Sequence, residues 1–300
     1  MSREGGCCYL YGPHDSGFTE MTDSVAERRA RMPAGTERFL DTRSLGGGAQ
    51  RRLAELLRPG MSVLDVGCGT GAITEGIAEA VGPEGRVLGI DVSRELIDRA
   101  RERRGRHPNL SFALADVTSL GRAGVTSLGG EERGFDMVTS ARMLQWLADP
   151  LGALAAMVGA ARPGGMVVAL DYNHRRASWE PELPESAAEF YEAFLAWREQ
   201  AGMDNEMADR LPEMFAELSL EDVRCTPHPE VTRRGEEDFA VRIALWGQVM
   251  ATRGHQVVAD GFLDEARRAA AQAEFEEWAA GEARSQTLCL ATTEGVVPAS

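Results

Sequence analysis

Through its middle the chain alternates short apolar runs with amphipathic stretches, and beyond residue 172 it turns mainly amphipathic. Met61–Val66 (MSVLDV) is an apolar run that ends in glycines, the pattern of a buried strand. Thr70–Val81 has helical spacing and is stopped by Gly82-Pro83. Arg86–Asp91, Asn109–Asp116, Phe135–Ser140 and Gly165–Asp171 read as four further strands. Between them Ser93 is a good N-cap for the helix SRELIDRARERR, and Pro150–Arg162 predicts a helix closed by Pro163-Gly164-Gly165. Strands alternating with helices predict an α/β fold: a doubly wound, mostly parallel sheet with helices on both faces.

Residues 1–48 are expected to form an N-terminal arm, with Gly46-Gly47-Gly48 reading as a hinge or turn and a short helix predicted in AQRRLAELL. The C-terminal half predicts helices over Pro184–Ala201, 205–219, 236–252 and 260–280, with strands at 221–232 and Thr287–Thr292. The helical blocks at 174–202 and 236–283 exceed ordinary connections. They predict a cap over the carboxyl ends of the strands, where such folds bind ligands. The expected division is an arm (1–48), a binding core (49–172), a helical insertion (173–220), and the last strands with a second cap insertion (221–300). A length of 300 residues is consistent with such a division, and VTSLG at 117–121 recurs at 125–129 as a small loop duplication.

Charge narrows the partners. The net charge of −15 disfavours nucleic acid and anionic membranes. All 32 basic residues are arginine, so no lysine can form a Schiff base. Cys7, Cys8, Cys68, Cys225 and Cys289 are odd in number and lack CxxC spacing, which fits a reducing cytoplasm. The first residues lack the apolar stretch of a signal peptide, and no run approaches the ~20 residues that span a bilayer. His14, His107, His228 and His255 have no metal-ligand spacing, so no metal site is expected.

The chemistry concentrates in Asp65-Val66-Gly67-Cys68-Gly69-Thr70-Gly71, which follows a strand and opens a helix. Its glycines allow a tight turn and close approach of a ligand. Asp91, at the end of the next strand, can accept from both hydroxyls of a ribose. Gly67-x-Gly69-x-x-Ala72 also satisfies a loose dinucleotide pattern. Asp65 favours a different cofactor, because a carboxylate at the mouth of the turn suits a cation better than a pyrophosphate.

VLDVGCGTGAIT with an acidic end to the second strand resembles motif I of class I S-adenosylmethionine-dependent methyltransferases. Ala115-Asp116-Val117, FDMVTSARMLQWLADP and ARPGGMVVALDY are similar to later segments of that family in the same order. The nearest type is that of ubiquinone and menaquinone biosynthesis and its small-molecule relatives, over residues 45–172 and the last strand. The resemblance implies a seven-stranded sheet, with S-adenosylmethionine as cofactor and S-adenosylhomocysteine as product. It implies that Gly67, Cys68, Gly69 and Gly71 admit the cofactor, Asp65 faces its methionine end, and Asp91 holds the ribose. Val92, Asp116 and Val117 would meet the adenine, and Ser140 the sulfonium.

For the acceptor, His174 is the candidate base because its ordinary pKa suits proton transfer near neutrality. Trp146, Tyr172, Asn173 and Trp179 are candidate acceptor contacts. Phe190, Phe194 and Trp197 read as core packing of a cap helix, and Tyr9 and Tyr11 as residues that could close over the cofactor. The expected activity is methyl transfer by in-line displacement to a small apolar or aromatic metabolite. Alternatives are a protein or RNA acceptor, a non-catalytic cofactor-binding module, and, disfavoured by Asp65, a nicotinamide dehydrogenase. A homodimer is left open.

Overall fold

The computed structural model describes residues 24–33, 40–120 and 134–299. Tyr9, Tyr11, the histidine at 14 and the second VTSLG copy lie outside them.

A short helix α1 (Val25–Ala30) carries a capping box between Ser24 and Glu27. After α2 (Arg51–Leu56), the units β1 (Ser62–Val66), α3 (Ala72–Val81), β2 (Arg86–Asp91), α4 (Arg94–Arg104) and β3 (Leu110–Leu114) follow. Then come β4 (Phe135–Ala141), α5 (Pro150–Ala160) and a long β5 (Ala161–Glu180). The C-terminal half holds α6 (Glu185–Gln200), α7 (Met207–Glu217), β6 (Glu221–Pro227) and β7 (Glu230–Arg233). Four helices, α8 (Phe239–Ile243), α9 (Leu245–Ala251), α10 (Gly254–Ala259) and α11 (Glu265–Gly281), precede β8 (Ser285–Val296).

The strand order is β3-β2-β1-β4-β5-β8-β6, with β7 also paired to β8. The first five strands run parallel and β8 runs antiparallel to β5, β6 and β7. The doubly wound, mostly parallel sheet is therefore present, with eight strands among the described residues. The expected strand at 221–232 is broken in two around Pro227-His228-Pro229, where proline cannot supply a ladder N–H.

Successive strand residues point to opposite faces, so β1 feeds two cores. Val63 packs with Ile77, Val81, Ile97 and Met137 on one side. Leu64 and Val66 pack with Leu154, Met157, Val167 and Phe215 on the other. Phe215 and Leu211 belong to α7, which makes that helix a layer of the sheet. The expected insertion 173–220 therefore divides: α6 joins the cap, α7 the core, and the boundary at 172 falls inside β5.

The reason is the length of β5. It runs on past the parallel ladder, and its distal residues Ser178–Glu180 pair with Ser285–Thr287 of β8. This extension carries the cap. Phe190, Phe194, Trp197, Trp246, Phe275 and Trp278 form the cap's own core. Full burial of a ring such as Phe190 or Phe275 is worth roughly 1.5–3 kcal/mol.

Candidate functional site

The turn after β1 is shaped by backbone bonds. The N–H groups of Gly67 and Cys68 both donate to the Ile90 carbonyl, at 2.8 and 2.9 Å. Gly67 and Gly71 have φ of 72° and 78°, in the left-handed region that glycine enters freely. A Cβ at Gly67 would lie 2.6 Å from Met143 Cγ, and one at Gly71 would lie 2.6 Å from Phe112 Cζ. Gly71 then N-caps α3.

Two carboxylates flank the turn. Asp91 accepts from the Gly69 N–H and the Ser93 N–H, both at 2.9 Å. Burial pushes its pKa up, opposed by these backbone donors. Each of its oxygens keeps a second lone pair for a ligand hydroxyl. Asp65 is only 4% exposed and accepts from the Thr74 hydroxyl at 2.6 Å. Burial raises its pKa to about 7, with Thr74 opposing and Asp91 reinforcing the rise. The Cys68 thiol is pushed well up by burial, so it is a neutral wall.

Beyond β2, Val92 is 66% exposed, and Leu114, which pairs with Asp91 in the sheet register, is also exposed. Asp116 caps the turn at 117–119 by accepting from the Thr118 N–H at 2.8 Å, and Val117 is buried against the core. Ser140, one residue before the end of β4, pairs with Val66, and its buried hydroxyl has no partner among the described residues.

The acceptor side is built differently. Asp171–His174 are extended residues of β5, not a loop, and strand alternation separates them. Tyr172 and His174 share a face, with ring centroids 5.1 Å apart. Asn173 faces the other way and donates to Asp209 of α7 at 2.8 Å, so the expected acceptor contact by Asn173 is corrected. Trp179 is also committed elsewhere. It donates to Gln286 at 2.9 Å and packs edge-on against Tyr191 in the cap.

His174 is buried among Tyr172, Phe194 and Trp246, with Nε2 2.5 Å from Gln145 Oε1. Burial, then Arg198, holds its pKa well below 6.5, so the ring is neutral and weakly basic. This geometry suits orientation of Gln145 better than proton removal from an acceptor.

A buried polar network surrounds it that the sequence reading missed. Arg198 is fully buried on α6 and donates to Asn205 Oδ1 at 2.7 Å and to the Gln145 carbonyl at 2.9 Å. Trp146 lies between two guanidiniums, 4.3 Å from Arg198 and 4.0 Å from Arg253. Asp171 accepts from the Gln145 and Tyr172 N–H groups, and burial raises its pKa to about 7. Arg142, directly after β4, donates to the Tyr172 hydroxyl at 2.9 Å and pairs with Glu230. Arg198 continues the stripe of Tyr191 and Phe194 along α6. A charged residue on that stripe was the one available signal.

Known proteins place this geometry. Residues 57–218 match the family described as a methyltransferase domain. The chain belongs to the methyltransferase-domain family. Over 111 residues the methyltransferase domain is 40% identical to an uncharacterised 37.1 kDa protein in transposon Tn4556 of Streptomyces fradiae, covering 37% of this chain and 30% of that protein. Over 128 residues it is 35% identical to demethylmenaquinone methyltransferase of Staphylococcus aureus, covering 43% and 47%. The chain thus spans less than half the length of these curated relatives. The fold is similar to that of the YcgJ protein of Bacillus subtilis, with TM-score 0.52 at 17% identity over 83% of this chain and 98% of the other. It is also similar to phosphoethanolamine N-methyltransferase 2 of Haemonchus contortus, with TM-score 0.50 at 15% identity over 83% and 51%.

The residues of this methyltransferase domain fit the cofactor that the family resemblance implies. The Gly67–Gly71 turn, the spare acceptor capacity of Asp91 and the exposed apolar side chain of Val92 after β2 suit a turn-bound nucleoside with a flat base. No helix among the described residues is long and apolar enough to cross a membrane.

Proposed function

We propose that this chain transfers a methyl group from S-adenosylmethionine to a small acceptor with an apolar or aromatic body. The observation that carries the reading is the Asp91 carboxylate, tied to the Gly69 N–H at the edge of a left-handed glycine turn. When bound, the cofactor supplies an activated methyl on a sulfonium.

The chain's own groups bind, orient and exclude water. Asp91 holds the ribose hydroxyls, Val92 supports the adenine, and Asp116 and Val117 border it. The glycines and Cys68 admit the cofactor, with Ser140 near its reacting end. Ionised Asp65 is placed to meet its positive end. Displacement in line needs alignment and a dry site more than it needs acid–base help. Trp146, Phe194 and Trp246, packed in and against the cap, support a dry, aromatic acceptor side. Tyr172 orients the acceptor, and His174 acts through Gln145 rather than on the substrate.

Calorimetric titration with S-adenosylmethionine, S-adenosylhomocysteine and NAD tests the reading. The first two should bind and Asp91→Ala should weaken both. Binding of NAD alone, or of none of the three, would overturn it.

A further inference from the structure

We infer that Arg142 forms an anion subsite on the acceptor side, so that the acceptor carries a carboxylate or phosphate on its apolar body. This rests on the methyltransferase reading and adds a substrate class to it.

The subsite adjoins the reacting centre. Arg142 follows the last residue of β4, and the next residue, Met143, packs directly on Gly67 of the cofactor turn. Its side chain is 5% exposed. Nε donates to Tyr172 and Nη2 pairs with Glu230, while buried Nη1 has no partner among the described residues. The backbone is held at φ 61°, a left-handed conformation that an arginine adopts only under constraint from its surroundings.

The charges around it are matched: Arg43 and Arg142 lie within electrostatic reach of Glu230 and Asp171, and Arg198, also near Asp171, has Asp204 and Glu199 beside it. The orphan donor is therefore what calls for an anion: a carboxylate or phosphate oxygen on Nη1 would satisfy it with a charge-assisted hydrogen bond.

The cofactor also carries a carboxylate, and the test separates the two sources. Benzoate, phenyl phosphate and benzamide are titrated into the protein with and without saturating S-adenosylhomocysteine. Benzoate or phenyl phosphate should bind about tenfold more tightly than neutral benzamide, and the stronger of the two identifies the anion class. Arg142→Met should abolish that preference while changing S-adenosylhomocysteine affinity by less than about threefold. Glu230→Gln should strengthen the acids and leave benzamide unchanged, an effect opposite to structural damage, and it carries the test if the arginine variant fails to fold. Equal binding of acid and amide by the unaltered protein would overturn the inference. So would Arg142→Met weakening S-adenosylhomocysteine but not its decarboxylated analogue, which assigns the subsite to the cofactor. Failure of S-adenosylhomocysteine to bind at all would overturn the methyltransferase reading, and the titrations without it would still report the acid preference.

Discussion

At the turn between β1 and α3, position is set by the backbone: two N–H groups converge on the Ile90 carbonyl, and glycines at positive φ leave no room for a β-carbon. Under the cap, position is set by side chains: those of Arg198 and Asp171 hold the Gln145 backbone and that of His174 meets the Gln145 side chain, among aromatic rings. The first construction tolerates any neighbour that keeps the turn open. The second fails when one member is removed, because the others are left buried and unpaired. Truncation should therefore be costly under the cap, while adding a carbon should be costly at the turn.

The largest expected effect is that of Arg198→Ala. It strips a fully buried guanidinium from Asn205, Gln145 and the face of Trp146, and leaves Asp171 with less opposing charge. Breaking such a buried charged network costs about 3–5 kcal/mol. Urea unfolding of the variant should show that loss, and a change below about 1 kcal/mol would mean that the network relaxes and the contrast is wrong. At the turn, Gly71→Ala places a methyl 2.6 Å from Phe112 in a left-handed conformation. The backbone contributes about 1–2 kcal/mol and overpacking about 1–3. The same unfolding experiment checks it; a neutral result would show that Phe112 moves aside.

This contrast also explains what could be read from the chain before the fold was known. The glycine turn, Asp65 and Asp91 were legible because a backbone conformation demands particular residues at fixed spacing. The cap's polar network was far less so: Arg198 continues an aromatic stripe on α6, but its partners Gln145, Trp146, Asp171 and Asn205 come from separate segments that only the fold brings around it. Asn173 was misplaced for a related reason. Reading 171–174 as a loop hid the alternation that turns Tyr172 and His174 to one face and Asn173 to the other.

Asp91→Ala sharpens the comparison from the ligand's side. It removes the acceptors of the buried Gly69 N–H and the half-buried Ser93 N–H, so stability should fall by about 1–3 kcal/mol. Loss of two charge-assisted bonds to a ribose should weaken S-adenosylhomocysteine by about 10–100-fold in calorimetry. A large loss of stability with unchanged affinity would reverse the assignment and make Asp91 a structural brace.

The last test concerns Asp65, a carboxylate that the turn buries beside Thr74 and Asp91 and that no cation among the described residues offsets. Burial raises Asp65 from its usual 3.8 to about 7, so the fold prefers its protonated form. Its contribution to stability is complete below about pH 4 and is lost as pH rises through about 7. His174 acts in the opposite sense, since its depressed pKa makes acid destabilising below about pH 6.5. Comparing the unaltered protein with Asp65→Asn at each pH cancels the histidine. The variant should gain about 2 kcal/mol on the unaltered protein between pH 5 and pH 8 in urea unfolding, because each proton released near pH 7 is worth about 1.4 kcal/mol per pH unit. A pH-independent difference would mean that Asp65 is already ionised in the free fold and needs no cation to hold its charge, so its place in the site would be structural.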